Sequence, residues 1–466
     1  MYRLGWIFWC CLILISGCTK NSQQFSSLPQ DEFIQVYFNH RATKQKTYVE
    51  PYRELERQGD DLESIIIQEI AAAQHTIDLA VQELNLPLIA QALVESHNSG
   101  VKVRVILENN YSRPLSTFSK PEIKQLNQRD RYKYDQFFQL VDLNQDRQLS
   151  SSEIAQRDAL VILNQAGIPI IDDTADGSKG SGLMHHKFMV VDSQVVVTGS
   201  ANFTLSGIHG DLNNLTTRGN VNHLLRIKNT ELSHLFAEEF NYMWGDSFFE
   251  VSNSVDDSKF GLNKPWRSPK SIVWDNTQIT LQFAPTSSKQ DWHLSTNGLI
   301  SQTIKQATES INLALFVFSE QKIADVLQQK HQQGIKIKGV FDTSFAYRYY
   351  SEVLDMLGVT LYQQCQAEAD NNPWINSLNT IGTAQLASGD KLHHKFTVID
   401  NKIVITGSHN WSQAANKNND ETLIIIRNKI VSQHFIQEFQ RLYNSAFLGL
   451  SSRTKTKIES QHSRCN

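Results

Sequence analysis

The chain has 466 residues, of which 40% are hydrophobic and 20% are charged, a composition that indicates a globular protein with a sizeable core. This length suits two or three average domains or one large two-lobed protein. The formal net charge of −4 excludes a protein-wide electrostatic attraction to nucleic acid or acidic membranes, although a local basic groove would not show in such a total.

The first segment has the features of an export signal. Residues 1–17 place Arg3 before an apolar stretch that is too short to span a bilayer. The sequence ISGC at its end resembles the bacterial lipoprotein signal, in which cleavage leaves a lipid-modified cysteine, here Cys18, as the first residue. We therefore predict an exported bacterial lipoprotein, periplasmic or at the cell surface, with residues 18–32 as a flexible tether to the membrane. A plain signal peptide or a signal anchor is the alternative.

Two cysteines remain for the folded part of the chain. Cys10 and Cys11 leave with the predicted signal, and Cys18 takes the lipid, so only Cys365 and Cys465 are left. Two cysteines are too few for a disulfide framework, and their spacing is not that of metal ligands. The sequence does not decide whether they pair.

The rest of the chain contains an internal repeat. The segment HHKFMVVDSQVVVTGSANFT at 185–204 returns as HHKFTVIDNKIVITGSHNWS at 393–412. Upstream, a pattern that begins at Thr76 returns from Ser310. The offset between the copies changes along the chain, which places an insertion in the first half between about 110 and 155.

Each copy predicts alternating strands and helices. The runs TIDLAVQEL and VKVRVILE are rich in β-branched and apolar residues, whereas LPLIAQALVESHNSG between them has helical spacing and a glycine stop. The pattern predicts an α/β fold of two homologous α/β/α lobes, with mainly parallel or mixed sheets packed about a pseudo-two-fold axis. We expect the first lobe over 33–250, the second over 251–448 with a shorter insertion between about 363 and 390, and a polar tail over 449–466.

Both copies keep the spacing His-x-Lys-x4-Asp-x6-Gly-Ser-x-Asn. Positions i and i+2 of a strand share a face, so the first histidine and the lysine point together, while the next histidine, His186 in the first copy, points away. A cation beside an imidazole, near Ser and Asn donors, forms a pocket for a phosphate oxyanion. The aspartate lies at the hairpin turn on the other parity, where we expect it to support the motif rather than bind phosphate. The candidate residues are His185, Lys187, Asp192, Ser200 and Asn202, and His393, Lys395, Asp400, Ser408 and Asn410.

A single His-x-Lys pair on a strand is most often coincidence, but here the polar residues match while apolar positions such as Met189 and Thr397 change. The doubled motif resembles the paired His-Lys-Asp signatures of the phospholipase D superfamily, and the likeness covers about 33 to 448. The resemblance implies both motifs at one lobe interface and cleavage of phosphodiester bonds through a phosphohistidine. Lys187 and Lys395 are then expected to hold the phosphoryl oxygens, so that catalysis needs no metal or other cofactor.

The two halves differ at one informative position. Glu421 resembles the family's carboxylate that orients an imidazole, whereas the first half has Asn222 there. In two-motif relatives this carboxylate pairs with the histidine of the opposite half, which implies a contact between Glu421 and His185. On that basis we predict His185 as the nucleophile and His393 as the general acid. Nearby Asp211 is a candidate substitute for the carboxylate that is missing on His393.

The insertion in the first half contains a calcium-loop pattern, DLNQDRQLSSSE, between segments with helical spacing. Arg147 stands where such a loop normally has glycine for a left-handed turn. Hard oxygen ligands at this spacing favour calcium, and we expect the ion to order the insertion rather than to enter the chemistry. A solvated acidic loop without metal is the alternative. The predicted ligands occupy EF-hand positions 1, 3, 5, 7, 9 and 12 and are Asp142, Asn144, Asp146, Gln148, Ser150 and Glu153.

The sequence leaves two functions open, since a fold does not choose its substrate. The first is a membrane-tethered phosphodiesterase that cleaves phospholipids or transfers their phosphatidyl group. Lipidation supports it, as do the aromatic residues at 345–350 and Trp374, which are equally consistent with a core or a dimer contact. The second is a membrane-anchored nonspecific nuclease of the same superfamily, against which the acidic net charge argues mildly. We expect a monomer.

Overall fold

The computed structural model describes residues 25–43, 46–246 and 257–465. The predicted signal segment, the lipidation site Cys18 and the boundary between the lobes at 250 lie outside the described residues. Within those ranges, no helix combines the length and the apolar character needed to cross a membrane.

The first lobe alternates strands and helices around an antiparallel hairpin. Its strands are β1 (Ile34–Phe38), β2 (Thr47–Val49), β3 (Glu56–Gln58), β4 (Thr76–Val81), β5 (Lys102–Leu107), β6 (Ile170–Asp172), β7 (Lys187–Val191), β8 (Val195–Gly199) and β9 (His223–Lys228). Its helices are α1 (Leu62–Ala71), α2 (Pro87–Asn98), α3 (Lys120–Gln125), α4 (Gln128–Val141), α5 (Ser151–Arg157), α6 (Ala159–Gln165), α7 (Leu205–Ile208) and α8 (Thr230–Trp244). The main sheet has the order β1-β9-β8-β7-β4-β5-β6.

The local sequence explains these elements. The predicted crossover helix α2 has Pro87 in its first turn, where a missing N–H removes no helical hydrogen bond, and Gly100 with φ +96° lies just beyond its end. This crossover makes β4 and β5 parallel, and β6 continues the parallel part. The hairpin turn between β7 and β8 returns the chain directly, so β7, β8, β9 and β1 pair antiparallel. The predicted mixed sheet is therefore confirmed, with antiparallel pairs in the majority.

The second lobe repeats this arrangement. Its strands are β10 (Lys270–Trp274), β11 (Thr277–Ala284), β12 (Ser310–Leu315), β13 (Phe318–Ser319), β14 (Lys336–Phe341), β15 (Ile381–Thr383), β16 (Lys395–Ile399), β17 (Ile403–Gly407), β18 (Trp411–Ser412), β19 (Glu421–Arg427) and β20 (Phe447–Leu448). Its helices are α9 (Thr296–Ile304), α10 (Gln321–Gln332), α11 (Thr343–Ala346), α12 (Glu352–Met356), α13 (Gln413–Lys417), α14 (Lys429–Ser445) and α15 (Ser452–Cys465). In the sheet order β10-β11-β19-β17-β16-β12-β14-β15-β20, the strands from β19 to β15 correspond one to one to those from β9 to β6.

The polar tail forms helix α15 and is attached to the body of the second lobe. Cys365 and Cys465 form a disulfide bond. Close by, the backbone N–H of Tyr362 donates to the side chain of Gln461, whose amide donates back to the Tyr362 carbonyl. The pairing that the sequence left open is thus present in the structure.

The lobes share a hydrophobic core. Phe188 of the first motif packs edge-on against Phe236, and Phe396 of the second motif packs in the same way against Phe435, with ring centroids 5.1 and 5.0 Å apart. All four rings are fully buried in one cluster that includes residues of both lobes. Burying each of these side chains contributes about 1.5–3 kcal/mol, which fixes the two motif strands against each other.

Backbone hydrogen bonds across the interface place the two motifs. The N–H of His185 donates to the carbonyl of Asp420 at 3.0 Å, and the N–H of His393 donates to the carbonyl of Val221 at 3.1 Å. The residues that follow Asp420 and Val221 are Glu421 and Asn222, the position at which the two halves differ. The interface therefore puts each motif histidine beside that position of the opposite lobe.

Candidate active site

A cleft of about 1010 Å³ lies between the lobes, and both motifs open into it. His185 and Asn202 line it from the first lobe, and His393 and Asn410 line it from the second. Helix α4 of the insertion forms another part of its wall. The volume suits an organic molecule of substantial size.

His185 is held by a carboxylate of the opposite lobe. Its Nδ1 lies 2.8 Å from Oε2 of Glu421, which is completely buried. The Ser408 hydroxyl donates to the same oxygen at 2.6 Å, and the Asn419 amide donates to Oε1 at 3.3 Å. Because Nδ1 is occupied, Nε2 is the remaining nitrogen of His185 for a substrate in the cleft.

Burial affects both members of this pair in the direction that removes charge. It lowers the pKa of His185 well below the usual histidine value, and the ammonium groups of Lys187 and Lys395 lower it further. Burial also raises the pKa of Glu421. A neutral imidazole with a free lone pair on Nε2 is the form that a nucleophile requires.

His393 has amide partners instead. Its Nδ1 lies 3.0 Å from Oδ1 of Asn222 and 3.0 Å from the backbone carbonyl of Ser200. Both partners only accept hydrogen bonds at these oxygens, so Nδ1 carries the proton and Nε2 is left for the cleft. Asp211, the suggested substitute carboxylate, lines the cleft, where it accepts a hydrogen bond from the Tyr132 hydroxyl, and it does not take the place of Asn222 at Nδ1 of His393. The two halves of the site are therefore chemically different.

Both motif lysines are buried and do not line the cleft, but each lies against a residue that does, Gln82 for Lys187 and Phe316 for Lys395. Nζ of Lys187 donates to the carbonyl of His185 at 2.8 Å, and Nζ of Lys395 donates to that of His393 at 2.7 Å. Nζ of Lys395 also lies 4.9 Å from the ring centroid of Phe316. Burial lowers the pKa of Lys187 to about 7 and that of Lys395 well below its usual value. An anion close to the two ammonium groups would offset their repulsion.

The two motif serines have a different position from the predicted one. The Ser200 hydroxyl donates to Oδ1 of Asn222 at 2.7 Å, and that of Ser408 donates to Glu421. Both serines are buried and do not line the cleft. In this structure they position the partners of the histidines instead of binding phosphate, whereas Asn202 does line the cleft, as does Asn410.

The motif aspartates are not brought to the cleft. Asp192 accepts hydrogen bonds from the backbone N–H groups of 74–76 at 2.7 to 2.8 Å, and Asp400 does the same for 308–310 at 2.8 Å. These bonds lower the pKa of both carboxyls. Each aspartate lies at the turn of its hairpin and ties it to the start of the neighbouring strand, which is the supporting position expected from strand parity.

The second histidine of each pair points away from the cleft, as strand parity predicts. Nδ1 of His186 lies 2.8 Å from the Thr422 hydroxyl, and its Nε2 lies 3.0 Å from Glu239. Nε2 of His394 lies 3.0 Å from Glu438. Both rings are fully buried and contact the opposite lobe, His186 at Thr422 and His394 at His223, so they join the lobes rather than meet a substrate.

Sequence reasoning missed two cleft residues that occupy the same position in the two halves, Gln82 and Phe316. Oε1 of Gln82 accepts from Lys187 at 3.4 Å and from Asn202 at 3.3 Å. The ring of Phe316 lies 4.7 Å from that of His393. Both residues follow the carboxyl end of a parallel strand, where α/β sheets bind ligands, and this signal was available in the sequence.

Five of the predicted calcium ligands, from Asp142 to Ser150, lie in the loop between α4 and α5, and the sixth, Glu153, lies in the first turn of α5. The loop is separate from the two histidines, although α4 reaches the cleft. Among the residues that the structure describes, no group of three or more His, Cys, Asp or Glu side chains is arranged to hold a metal ion. At this loop the reason is Glu153, whose carboxylate bonds to the loop's own backbone.

Two α/β lobes that each bring a His-x-Lys motif to one cleft define an enzyme of the phospholipase D superfamily type. The sequence model of the family described as "Cardiolipin synthase, PLD-like domain" matches residues 66–244 and 300–443, which is more than half of the chain. The chain belongs to this PLD-like family of phosphodiesterases.

Individual relatives share part of the chain. Mitochondrial cardiolipin hydrolase from Canis lupus familiaris is 29% identical over 139 residues, which cover 29% of this chain and 46% of that protein. Phospholipase D from Rickettsia prowazekii (strain Madrid E) is 29% identical over 195 residues, which cover 42% of this chain and 82% of that protein. The chain thus spans about half the length of the cardiolipin hydrolases that it matches.

A solved structure supports the two-lobed fold. The crystal structure of phosphatidylserine synthase from Haemophilus influenzae Rd KW20 superposes with a TM-score of 0.54. The superposition covers 94% of this chain and 93% of that chain at 12% sequence identity. This likeness shows the fold alone.

The pKa of Lys187 predicts a loss of activity at alkaline pH. Since this pKa is about 7, its ammonium is lost as the pH rises through that value, and an attraction for the phosphodiester is lost with it. We expect kcat/KM, which reports the free enzyme, to fall more steeply as pH rises through about 7, because the loss of the Lys187 charge adds to the deprotonation of His393 at lower pH. We expect kcat to change less, because a bound anion raises the pKa of the lysine. A pH–rate profile with bis-p-nitrophenyl phosphate measures both.

Lys187→Arg is the matched variant, because a guanidinium stays charged over this pH range. The steeper fall near pH 7 is expected to move upward by at least one pH unit in this variant, because the pKa of a guanidinium exceeds 12. A steeper fall that stays near pH 7 in Lys187→Arg would contradict the assignment to Lys187.

Proposed function

We propose that the protein is a phosphodiesterase of phospholipase D type that cleaves phospholipids through a phosphohistidine on His185, with His393 as the general acid. The observation that carries the proposal is the unequal pairing of the two histidines. A carboxylate, Glu421, supports His185, whereas an amide, Asn222, supports His393. The phosphorylated ring carries a positive charge in the phosphoenzyme, so the nucleophile is the histidine that benefits from a carboxylate.

The first step forms the phosphoenzyme. Nε2 of neutral His185 attacks phosphorus, the bond from phosphorus to the leaving alcohol breaks, and Nε2–H of His393 gives its proton to that oxygen. Lys187 and Lys395 neutralise the non-bridging oxygens, and Glu421 stabilises the charge on the phosphorylated imidazole. No group outside this set is needed to balance the step.

The second step reverses the roles around phosphorus. His393, now neutral, takes a proton from water, whose oxygen attacks phosphorus as the bond to Nε2 of His185 breaks. Phosphatidic acid is released and both histidines return to their initial protonation states. A second alcohol in place of water gives phosphatidyl transfer by the same geometry.

Substrate binding itself supplies the acid form of His393. Burial and the two nearby ammonium groups lower the pKa of His393 well below its usual value in the free protein. A phosphodiester anion between Lys187 and Lys395 opposes those charges and raises the pKa of the ring. The proton that the leaving alcohol needs is therefore gained together with the substrate.

The cleft lining favours a phospholipid over nucleic acid. Phe316 and Phe345 contact each other with ring centroids 4.7 Å apart and give the wall an apolar part. Beyond the motif residues, the described lining is nearly balanced in charge, which suits one phosphate beside an apolar group better than a polyanion. Its charged side chains are Arg129, Arg131, Lys133 and Lys391, against Glu83, Asp135 and Asp211.

Membrane attachment through lipidated Cys18 is the second part of the proposal. It would keep the enzyme at a bilayer surface, where phospholipid is the abundant phosphodiester. Its support is the ISGC sequence after the apolar segment of 1–17. Labelled fatty acid is expected to be incorporated into the unmodified chain and not into Cys18→Ser. Equal labelling of that variant would contradict lipidation at Cys18.

A panel of substrates tests the proposed activity. The purified chain is offered phosphatidylcholine and phosphatidylglycerol vesicles, single-stranded DNA and bis-p-nitrophenyl phosphate, each with and without added ethanol. We expect release of choline or glycerol, phosphatidylethanol when ethanol is present, and no DNA cleavage. DNA cleavage without release of a headgroup would establish the nuclease alternative instead. His185→Ala is the control that identifies any activity due to a contaminant.

A further inference from the structure

We propose that loop 142–153 binds one calcium ion and that this ion fixes helix α4 as a wall of the active-site cleft. The loop connects the end of α4 to the start of α5 and has oxygen-bearing side chains at the spacing of an EF-hand loop. The site for the ion stands on the loop alone. The effect on the cleft rests on the proposed function.

Asp142, at the first loop position, has an uncompensated oxygen. Its side chain is buried at 9% exposure, and its Oδ1 has no hydrogen-bond partner among the described residues. Its Oδ2 accepts from the backbone N–H of Arg147 at 3.0 Å, so the carboxylate faces the loop. A buried carboxylate oxygen without a partner is unfavourable, and a cation in the loop removes that penalty.

The backbone already has the turn that a calcium loop requires. Arg147 has φ +66°, the left-handed conformation that glycine normally supplies at this position. Oδ1 of Asn144 accepts from the N–H of Asp146 at 2.9 Å, and Oδ1 of Asp146 accepts from that of Gln148 at 2.8 Å. Arg147 in place of glycine therefore adds a positive charge and strains the turn, but the backbone keeps the conformation of a calcium loop.

Glu153 is the residue that has to move. Its Oε1 accepts from the N–H groups of Leu143 and Asn144 at 2.9 and 3.2 Å, and its Oε2 caps α5 through Ser150. In this arrangement the acidic side chains do not converge, in agreement with the lack of a metal-holding group in the described ranges. Calcium binding requires Glu153 to turn from these amides to the ion, which links occupancy of the loop to the junction of α4 and α5.

Helix α4 transmits this change to the cleft. Nζ of Lys133 contacts Oε2 of Glu83 at 2.7 Å, and Oε1 of Gln136 accepts from the backbone of Leu212 at 2.7 Å. Glu83 directly follows Gln82, which contacts the motif lysine. Helix α4 thus connects the loop to Glu83, which precedes the first motif in the sequence, and to Leu212, which follows it. Ordering of the C-terminal end of α4 is therefore expected to shape the cleft wall.

Calcium titration of the full chain tests the binding site. Isothermal calorimetry is expected to show one site with a Kd of about 10⁻⁴–10⁻³ M, since few charges surround the ion and arginine stands at the sixth position. Glu153→Gln is expected to weaken binding tenfold or more. Arg147→Gly removes a positive charge and the strain of the left-handed turn, so it is expected to tighten binding tenfold or more, with retained folding checked by circular dichroism.

Asp130→Asn is the charge-matched control, because Asp130 lies in the first turn of α4 and outside the loop. Its affinity for calcium is expected to equal that of the unmodified chain. Absence of binding at millimolar calcium in both the unmodified chain and Arg147→Gly would overturn the proposed site. Equal weakening by Asp130→Asn and Glu153→Gln would also overturn it, since only general charge would then matter.

Amide hydrogen exchange and kinetics test the effect on the cleft. Calcium is expected to slow exchange in 128–141 and to lower KM roughly fivefold or more without changing kcat, with the midpoints of both shifted by Arg147→Gly. If calcium binds but neither quantity changes, the coupling is wrong although the site stands. Exchange needs no substrate, so an inactive enzyme with calcium-dependent protection of α4 would overturn the proposed function and leave this inference intact.

Discussion

His185→Ala is expected to abolish cleavage of every phosphodiester, whereas His393→Ala is expected to spare substrates with an activated leaving group. The nucleophile is needed whatever leaves, and its loss is expected to lower kcat by roughly 10⁴-fold or more. A general acid matters in proportion to how strongly the leaving oxygen needs a proton, and its loss costs about 10²–10⁴-fold on an alkyl leaving group. Nitrophenolate leaves without a proton near neutral pH, so His393→Ala is expected to retain most of its phosphoryl-transfer rate there.

The measurement compares phosphatidylcholine with its p-nitrophenyl analogue, phosphatidyl-p-nitrophenol, in the pre-steady state with substrate in excess over enzyme. The burst of nitrophenolate reports phosphoenzyme formation only, before water has to be activated. His186→Gln is the matched control, because His186 contacts Thr422 and Glu239 away from the cleft and its loss is expected to lower stability rather than kcat. If His185→Ala keeps the nitrophenolate burst and His393→Ala loses it, the two histidines have the opposite roles.

The duplicated motif made much of this site predictable from sequence. Alternation along an extended segment predicted that His185 and His186 point in opposite directions, and only His185 lines the cleft. Strand β7 itself begins at Lys187, which is buried behind the lining residues. The pattern of a strand, a polar turn and a second strand placed Asp192 at the hairpin turn, where it bonds to the backbone. The mixed two-lobed fold followed from the repeat and is confirmed by the sheet orders.

Tertiary contacts that depend on the packing of distant segments were not predictable. Ser200 has a motif position that suggested phosphate binding, but its hydroxyl reaches Asn222 because β9 runs beside β8. Helix α4, including Lys133, forms part of the cleft wall because the insertion folds back onto the first lobe. No residue spacing in the sequence indicates this packing. Gln82 was predictable in principle, since it follows a parallel strand at its ligand-binding end.

The unequal partners of the two histidines lead to the second large effect, which is the expected result of Glu421→Gln. A glutamine keeps the shape of Glu421 but has no charge to stabilise the phosphorylated ring of His185, and its amide can present an N–H to Nδ1 and favour the wrong tautomer. We expect kcat to fall by roughly 10²–10⁴-fold with a smaller change in KM, because the lost interaction strengthens only as charge develops. Thermal unfolding of the variant is measured alongside, since Glu421 is buried and bonded to Ser408 and Asn419.

Exchanging the two partners should exchange the two roles. Asn222→Asp places a carboxylate 3.0 Å from Nδ1 of His393, where an opposite charge typically raises a histidine pKa by about 1–3 units. In that single variant we expect the limb of the kcat/KM profile that depends on protonated His393 to move to higher pH. In the double variant with Glu421→Gln, the better-supported ring is His393, so the trapped phosphate is expected on His393 instead of His185.

Mass spectrometry of peptides from the acid-free, rapidly quenched phosphoenzyme locates the phosphate in each variant. The unmodified protein provides the reference, with phosphate on His185. If the double variant still carries phosphate on His185 at an undiminished rate, the carboxylate does not select the nucleophile, and the position of each histidine relative to the leaving group must do so. If the phosphate moves to His393, one buried carboxylate on one side of a duplicated site is sufficient to give two equivalent histidines different chemical roles.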